Sequence, residues 1–191
     1  MGKADEILIA EYEAGNMSAL EEIFQRYKTR ILNYALRLLS NLADAEDVVG
    51  EVFFVLTSRK YDYKPRAQVR FSTWLYTVAH NLCMDKARRR KKTLFLWFGK
   101  EDQTEELSLA DPNPPASETA QKSDTEEIIR EAVENLPLKY REAIVLREYQ
   151  NLTYEEIAAV LGVTLSQVKV DIFRARERLR KKLLPLFGEG R

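Results

Sequence analysis

The stretch Asn151–Leu184, NLTYEEIAAVLGVTLSQVKVDIFRARERLRKKLL, decides the fold. Thr153 and Glu156 form a capping-box pair, which predicts a helix starting beside them. Tyr154, Ile157, Ala158 and Leu161 then recur at i, i+3, i+4 and i+7, one apolar face of that helix. Gly162 breaks the run, and Thr164 is placed to cap a second helix. There Leu165, Val168, Ile172, Ala175 and Leu179 form the inward stripe. Two helices joined by a short glycine-containing turn are the pattern of a helix-turn-helix. The opposite face of the second helix presents Ser166, Val170, Phe173, Arg174, Glu177 and Lys181, flanked by Gln167 and Lys169. Apolar Val170 and Phe173 facing away from the core suit a DNA major groove, where thymine offers a methyl group and arginine or lysine meets guanine. Arg174, Arg176, Arg178, Arg180, Lys181 and Lys182 would follow phosphates. An amphipathic hairpin with solvated charges is the other reading of the motif alone.

Outward from this stretch, almost every segment reads as helix. A short periodic run covers 5–14, a long one 18–39 and a third 43–58, and a helix capped by Ser72 is expected to run to about Lys92. Residues 125–135 and Pro137 to about Tyr149 complete the set. Between them, Trp97–Asp124 holds Pro112, Pro114 and Pro115 among Ser, Thr, Asp and Glu, the composition of a flexible acidic linker. The expected architecture is all-α: two small helical domains, residues 1–95 and 125–191, joined by a linker at 96–124, with the helix-turn-helix in the second.

The net charge of the 191-residue chain is zero, which argues against a simple basic nucleic-acid binder, but the charge is unevenly distributed. Residues 1–92 are net +4, residues 93–126 net −6, and residues 127–191 net +2. Two mildly basic segments therefore flank an acidic one. No apolar run reaches membrane-spanning length, and the acidic start MGKADEILIAEYEAG is no signal peptide. A single cysteine, Cys83, permits no internal disulfide and fits a reducing cytoplasm. Its place beside a helical core face predicts a small buried hydrophobe. No Cys/His cluster, Gly-rich phosphate loop or Ser/His/Asp spacing stands out, so no catalytic site, metal site or cofactor is expected.

Two more faces call for partners. Along 43–58, Ala45, Val48, Val49, Val52 and Leu56 face inward, leaving Asp47, Gly50, Glu51 and Phe54 outward with Asp44 and Glu46 nearby. Acids repel DNA and an exposed aromatic favours a protein partner. Alternatively, Phe54 packs on a neighbouring helix. Along the helix from Ser72, Leu75, Val78, Ala79 and Leu82 point inward, and Thr77, His80, Asn81, Met84 and Arg88 outward with Trp74 at the edge. The run Lys86, Arg88, Arg89, Arg90, Lys91, Lys92 follows, and Tyr61, Tyr63, Lys64, Arg66 and Phe71 precede. Rings and amides beside cations suit unpaired bases and their phosphates. Core aromatics and a charged helix C-terminus are the rival account.

The segments DAEDVVGEVF (44–53), FSTWLYTVAHNLCMDKARRR (71–90) and LPLKYREAIVLREYQNLTYEEIAAVLGVTLSQVKVDIFRARERLRKKL (136–183) together resemble bacterial sigma factors of the extracytoplasmic-function class. The resemblance covers the chain apart from the linker. It implies a non-catalytic protein that binds core RNA polymerase, directs it to promoter DNA and helps open the duplex. Asp44, Glu46, Asp47, Glu51 and Phe54 match the segment that docks on the β′ clamp helices. Lys64, Arg66, Ser72, Trp74, Asn81, Lys86, Arg88 and Arg89 match the region that reads and melts the minus-10 element, with a base flipped into the loop before Ser72. Lys169, Val170, Phe173, Arg174 and Arg176 match the helix that reads the minus-35 element. The resemblance also implies contact with the β flap, a linker standing in for a nucleic-acid strand, and an anti-sigma partner. Two positions depart from the pattern. Gly50 stands where the family usually has glutamine, costing roughly 1 kcal/mol against alanine in a helix. Asp171 stands where a polar or basic residue is common; pairing with Arg174 or accepting from a cytosine amino group would accommodate it. The rivals are a stand-alone helix-turn-helix regulator and a helical bundle that only sequesters partners.

Overall fold

The computed structural model describes residues 2–58, 70–98 and 124–187, apart from the side chains of 94–98, 124 and 187. Eight helices account for them: α1 (Asp5–Glu13), α2 (Met17–Leu39), α3 (Leu42–Thr57), α4 (Phe71–Phe98), α5 (Asp124–Glu134), α6 (Leu138–Glu148), α7 (Tyr154–Leu161) and α8 (Leu165–Phe187). The predicted all-α class is what the described residues show.

Local chemistry sets the boundaries. Asn16 caps α2 by accepting from the Ser18 amide at 3.1 Å, and Asn41 caps α3 by accepting from Asp44 at 2.9 Å. Only Ser40 and Asn41 separate α2 from α3, so the chain doubles back and the two helices pack side by side. The fourth helix departs from expectation at both ends. Its first residue is Phe71, whose amide donates to Glu6 of α1 at 3.2 Å; Ser72 lies inside the first turn and is not the cap. At the other end the helix continues to Phe98, because Gly99 is the first residue after Lys92 with a strong helix-breaking preference.

The buried stripe of α2, including Ile23, Tyr27, Ile31, Tyr34 and Leu38, meets α3, α4 and α1. Truncating any of its fully buried isoleucines to alanine should cost about 2–5 kcal/mol. Cys83 is wholly buried as expected, and burial pushes its thiol up to about 12, so it stays protonated. The second group of helices packs α6 on α8 and α7 on both, and the buried residues of the two groups merge into one continuous core, with α7 against α4 and α6 against α2.

Candidate nucleic-acid and partner interfaces

The helix-turn-helix forms as its residues dictate. Thr153 accepts from the Glu156 amide at 3.2 Å while the Glu156 carboxylate accepts from the Thr153 amide at 2.8 Å, closing the capping box. Gly162 ends α7 at φ +66°, a left-handed conformation that costs glycine nothing. Thr164 caps α8 by accepting from Gln167 at 3.2 Å. Val168, Ile172 and Ala175 are buried, which leaves Val170 51% and Phe173 63% exposed on the other side. Lys169, Arg174 and Arg176 stand exposed beside them. Two of these cations are held by acids, Arg174 by Glu177 at 3.1 Å and Arg176 by Glu148 at 2.6 Å. Asp171 corrects the expectation for that position. It is buried, and its carboxylate accepts from Gln167 at 2.8 Å, so it neither pairs with Arg174 nor faces a cytosine. At i and i+4, Gln167 is simply the nearer donor.

On α3, Ala45, Val48, Val52 and Leu56 are buried and Glu46, Asp47, Gly50 and Glu51 are exposed, with Asp44 partly so. Phe54 is 71% exposed, so it does not pack on a neighbouring helix; Phe53 does that work, meeting Phe24 edge-on at 4.8 Å. Beside this face, α2 and α3 leave an apolar groove lined by Met17, Leu20, Phe24, Phe53 and Thr57. A Cβ added at Gly50 would meet nothing within 4 Å. Lys86 of α4 reaches across to this acidic face, 3.2 Å from Asp47 and 3.3 Å from Glu51. The structure thus gathers Asp47, Glu51 and Lys86 into one cluster, although the last was expected with the DNA-reading residues.

The face of α4 is narrower than its periodicity implies. Asn81, Arg88 and Arg89 are exposed; Ser72, Thr77 and Met84 are half-buried. Trp74 is half-buried too, stacked on fully buried Phe71 with ring centroids 5.7 Å apart. His80, expected outward, is buried and lies 3.3 Å from the Tyr34 hydroxyl. Burial, aided by the Arg88 charge, lowers its imidazole to about 4, so it is neutral at pH 7. Lys64 and Arg66 lie outside the described residues.

Sequence reasoning passed over one set of residues altogether. Tyr76, Arg141, Glu142 and Gln150 are polar and sit between the two helix groups. Arg141 is 1% exposed and donates to the carbonyls of Leu136 (3.0 Å) and Leu38 (3.3 Å). An arginine in a helix reads as solvated, so no signal in the periodicity marks it.

Comparison with known proteins joins these surfaces. The model of sigma-70 region 2 matches residues 23–93, and that of sigma-70 region 4 matches residues 126–179. RNA polymerase sigma factor YlaC of Bacillus subtilis is 32% identical over 165 residues, covering 86% of this chain and 92% of that protein. ECF RNA polymerase sigma factor SigW of the same organism is 31% identical over 183 residues, covering 93% and 96%. The chain belongs to the ECF RNA polymerase sigma factors. The ECF sigma-E factor of Escherichia coli is 30% identical over 186 residues and 95% of each chain. Among solved structures, CnrH in complex with the cytosolic domain of CnrY superposes on this sigma factor with a TM-score of 0.66 at 25% identity, covering 97% of this chain and all of that one. The sigma factor RpoE bound to the anti-sigma factor NepR from Bartonella quintana shares the fold, with a TM-score of 0.67 at 21% identity over 86% and 96%. This sigma factor therefore acts with RNA polymerase in promoter-specific transcription initiation, and its partners are the polymerase and promoter DNA. No helix among the described residues is long and apolar enough to cross a membrane.

Proposed function

We propose a division of labour among the three faces. The outward face of α3 (Asp44, Glu46, Asp47, Glu51 and Phe54) docks on the β′ clamp helices of core polymerase, with the neighbouring apolar groove extending the contact. Trp74, Asn81, Arg88 and Arg89, with Ser72, Lys64 and Arg66, read and melt the minus-10 element. Lys169, Val170, Phe173, Arg174 and Arg176 read the minus-35 element, and the second helix group touches the β flap. Residues 1–95 and 125–191 are the two working units and 96–124 the connection between them. Lys86 is reassigned: its pairing with Asp47 and Glu51 supports a role in shaping the polymerase-binding face. The protein is not a catalyst and works in the cytoplasm, where the polymerase is.

The observation that carries this reading is the exposure of Val170 and Phe173 among cations on the second helix of the turn, a surface that favours thymine methyls and phosphates over water. An anti-sigma factor, as in the complexes of CnrH and RpoE, would act by covering these faces. The test is capture of core RNA polymerase by the purified chain, then run-off transcription on a promoter pool. Stable capture with new, specific transcripts supports the reading. Retention of duplex DNA without polymerase would move it to a stand-alone helix-turn-helix regulator.

A further inference from the structure

We infer that Glu6 of α1 is a positioning residue for promoter opening: its carboxylate supplies the helix cap that α4 lacks and so sets Trp74 against the minus-10 element. This deepens the assignment of α4 to that element and rests on it.

The first turn of α4 has no cap of its own. Its closing bond runs from the Trp74 amide to the Arg70 carbonyl at 3.2 Å, which puts Arg70 at the cap position. A guanidinium carries donors and no acceptor, so Arg70 cannot answer the unpaired amides that begin a helix. Ser72 lies inside the turn, and the buried Thr73 hydroxyl has no hydrogen-bond partner among the described residues. The acceptor comes instead from another helix. The Glu6 carboxylate takes the Phe71 amide at 3.2 Å, across 65 residues of chain. Glu6 also stands in the first turn of α1, where Ala4 at the cap position makes no side-chain bond. The amide ends of two helices thus share one carboxylate, and the partial positive charge at each end favours an acid there.

The neighbouring Asp5 keeps Glu6 in place. Its carboxylate accepts from the Arg26 guanidinium and from the Tyr27 hydroxyl, both on α2. Burial, reinforced by Asp5, pushes the Tyr27 phenol far above its ordinary value, so it stays a donor. Leu8, Ile9 and Tyr12 are buried behind these acids, so α1 is anchored along its length. From this corner a line of rings leads outward. Tyr27 meets Phe71 edge-on at 6.0 Å, and fully buried Phe71 stacks on half-buried Trp74 at 5.7 Å with the planes 30° apart. Phe71 is therefore held twice, by its amide through Glu6 and by its ring through Tyr27. A first turn that frays moves Phe71, and Trp74 goes with it. The ring would then have to be ordered at the moment the strands part, a cost that a preset geometry avoids.

The test uses the full chain with core polymerase and three variants, Glu6→Ala, Glu6→Gln and Trp74→Ala. Glu6 is exposed, so Glu6→Ala should keep native helicity and native closed-complex binding. Permanganate footprinting should show its strand opening slowed about fivefold, the factor that loss of one helix cap carries. Glu6→Gln keeps an oxygen that accepts the same bond and should open within about twofold of the native rate. In a Trp97→Phe background Trp74 is the sole tryptophan. There Glu6→Ala should shift its emission to longer wavelength without DNA or polymerase, and Glu6→Gln should not. Native opening with unshifted emission in Glu6→Ala would overturn the cap, as would a Glu6→Gln protein that opens as slowly as Glu6→Ala. Closed binding that falls as far as opening would make Glu6 merely structural and overturn the positioning role too. Trp74→Ala judges the assignment of α4 separately. If it opens the promoter at the native rate, that assignment fails; if it opens slowly while Glu6→Ala does not, the role of Glu6 fails alone.

Discussion

Glu142→Gln should uncouple two titrations that oppose each other in the native protein. Glu142 sits half-buried on α6, with Arg141 beside it and Asp171 near it on α8; Tyr34 of α2 and Cys83 of α4 feel its charge. Burial, opposed by Arg141 and reinforced by Asp171, lifts its carboxyl from 4.5 to about 7. Each tenfold change in proton affinity is worth about 1.4 kcal/mol, so the rise amounts to about 3 kcal/mol. Because the folded value is the higher, that stability is whole below pH 4.5 and is lost as the pH rises through 7. His80, facing Tyr34 of α2 and Arg88 of its own helix, behaves the opposite way. Burial, aided by Arg88, lowers it from 6.5 to about 4, so its contribution is whole above pH 6.5 and is lost as the pH falls towards 4. The two are of similar size, so together they change native stability by less than about 1 kcal/mol between pH 4.5 and 8. In the variant only His80 remains, and about 2.5 kcal/mol should be gained as the pH rises over the same range. Every other titrating group is common to both proteins and cancels in the difference. Thermal unfolding followed by circular dichroism should therefore show the gap between the two Tm values swinging by roughly 6–12 °C from pH 4.5 to 8, the variant gaining at the alkaline end. Parallel Tm curves would show that Glu142 is not held protonated by its surroundings, and the reasoning would fail.

Phe54→Ala should leave Tm within about 2 °C, since an exposed side chain contributes little to folding, while weakening core-polymerase binding about tenfold in a competition assay; a large loss of stability with unchanged binding would put Phe54 in the core after all. Gly50→Ala has open space for its methyl and should raise stability by about 1 kcal/mol, seen as a higher Tm; its effect on polymerase affinity then reports directly how closely the partner approaches. Lys86→Met should lower polymerase affinity and leave binding of a single-stranded minus-10 oligonucleotide unchanged, because its ammonium is committed to Asp47 and Glu51; loss of oligonucleotide binding alone would return it to the DNA face. Arg174→Ala should weaken closed-complex formation at the minus-35 element, whereas Trp74→Ala should slow strand opening, followed by permanganate footprinting, more than it weakens closed binding. Equal loss of both steps in both variants would refute the separation of roles.

What the sequence made legible was everything a helix settles against a single neighbour. The Thr153–Glu156 box, the Gly162 break and the 3-4 spacing of Val168, Ile172 and Ala175 need only local geometry, and each is found where periodicity puts it. The outward stripe of α3 was equally readable because Phe54 stays exposed and Asp47 and Glu51 meet the ammonium of Lys86 rather than an apolar neighbour. Periodicity failed where a helix has two neighbours. His80 reads as outward on α4, yet α2 meets that flank and buries it. Arg141 and Glu142 read as solvated charges on α6, yet α2, α4 and α8 surround them, and their polar atoms are answered by carbonyls and charges more than a hundred residues away for α2. Such partners are set by how the two helix groups meet, which no window of sequence contains. The same division applies to function. Surfaces meant for another molecule stay uncovered, so Val170, Phe173 and Phe54 announce themselves as apolar residues out of phase with the core. Surfaces that the protein turns on itself are hidden in plain composition: Gln150, Tyr76 and Arg37 are ordinary polar residues until the fold places them face to face. Substitutions at Val170, Phe173 and Phe54 should therefore alter what the protein binds, and those at Arg141 and Glu142 how its two helix groups pack.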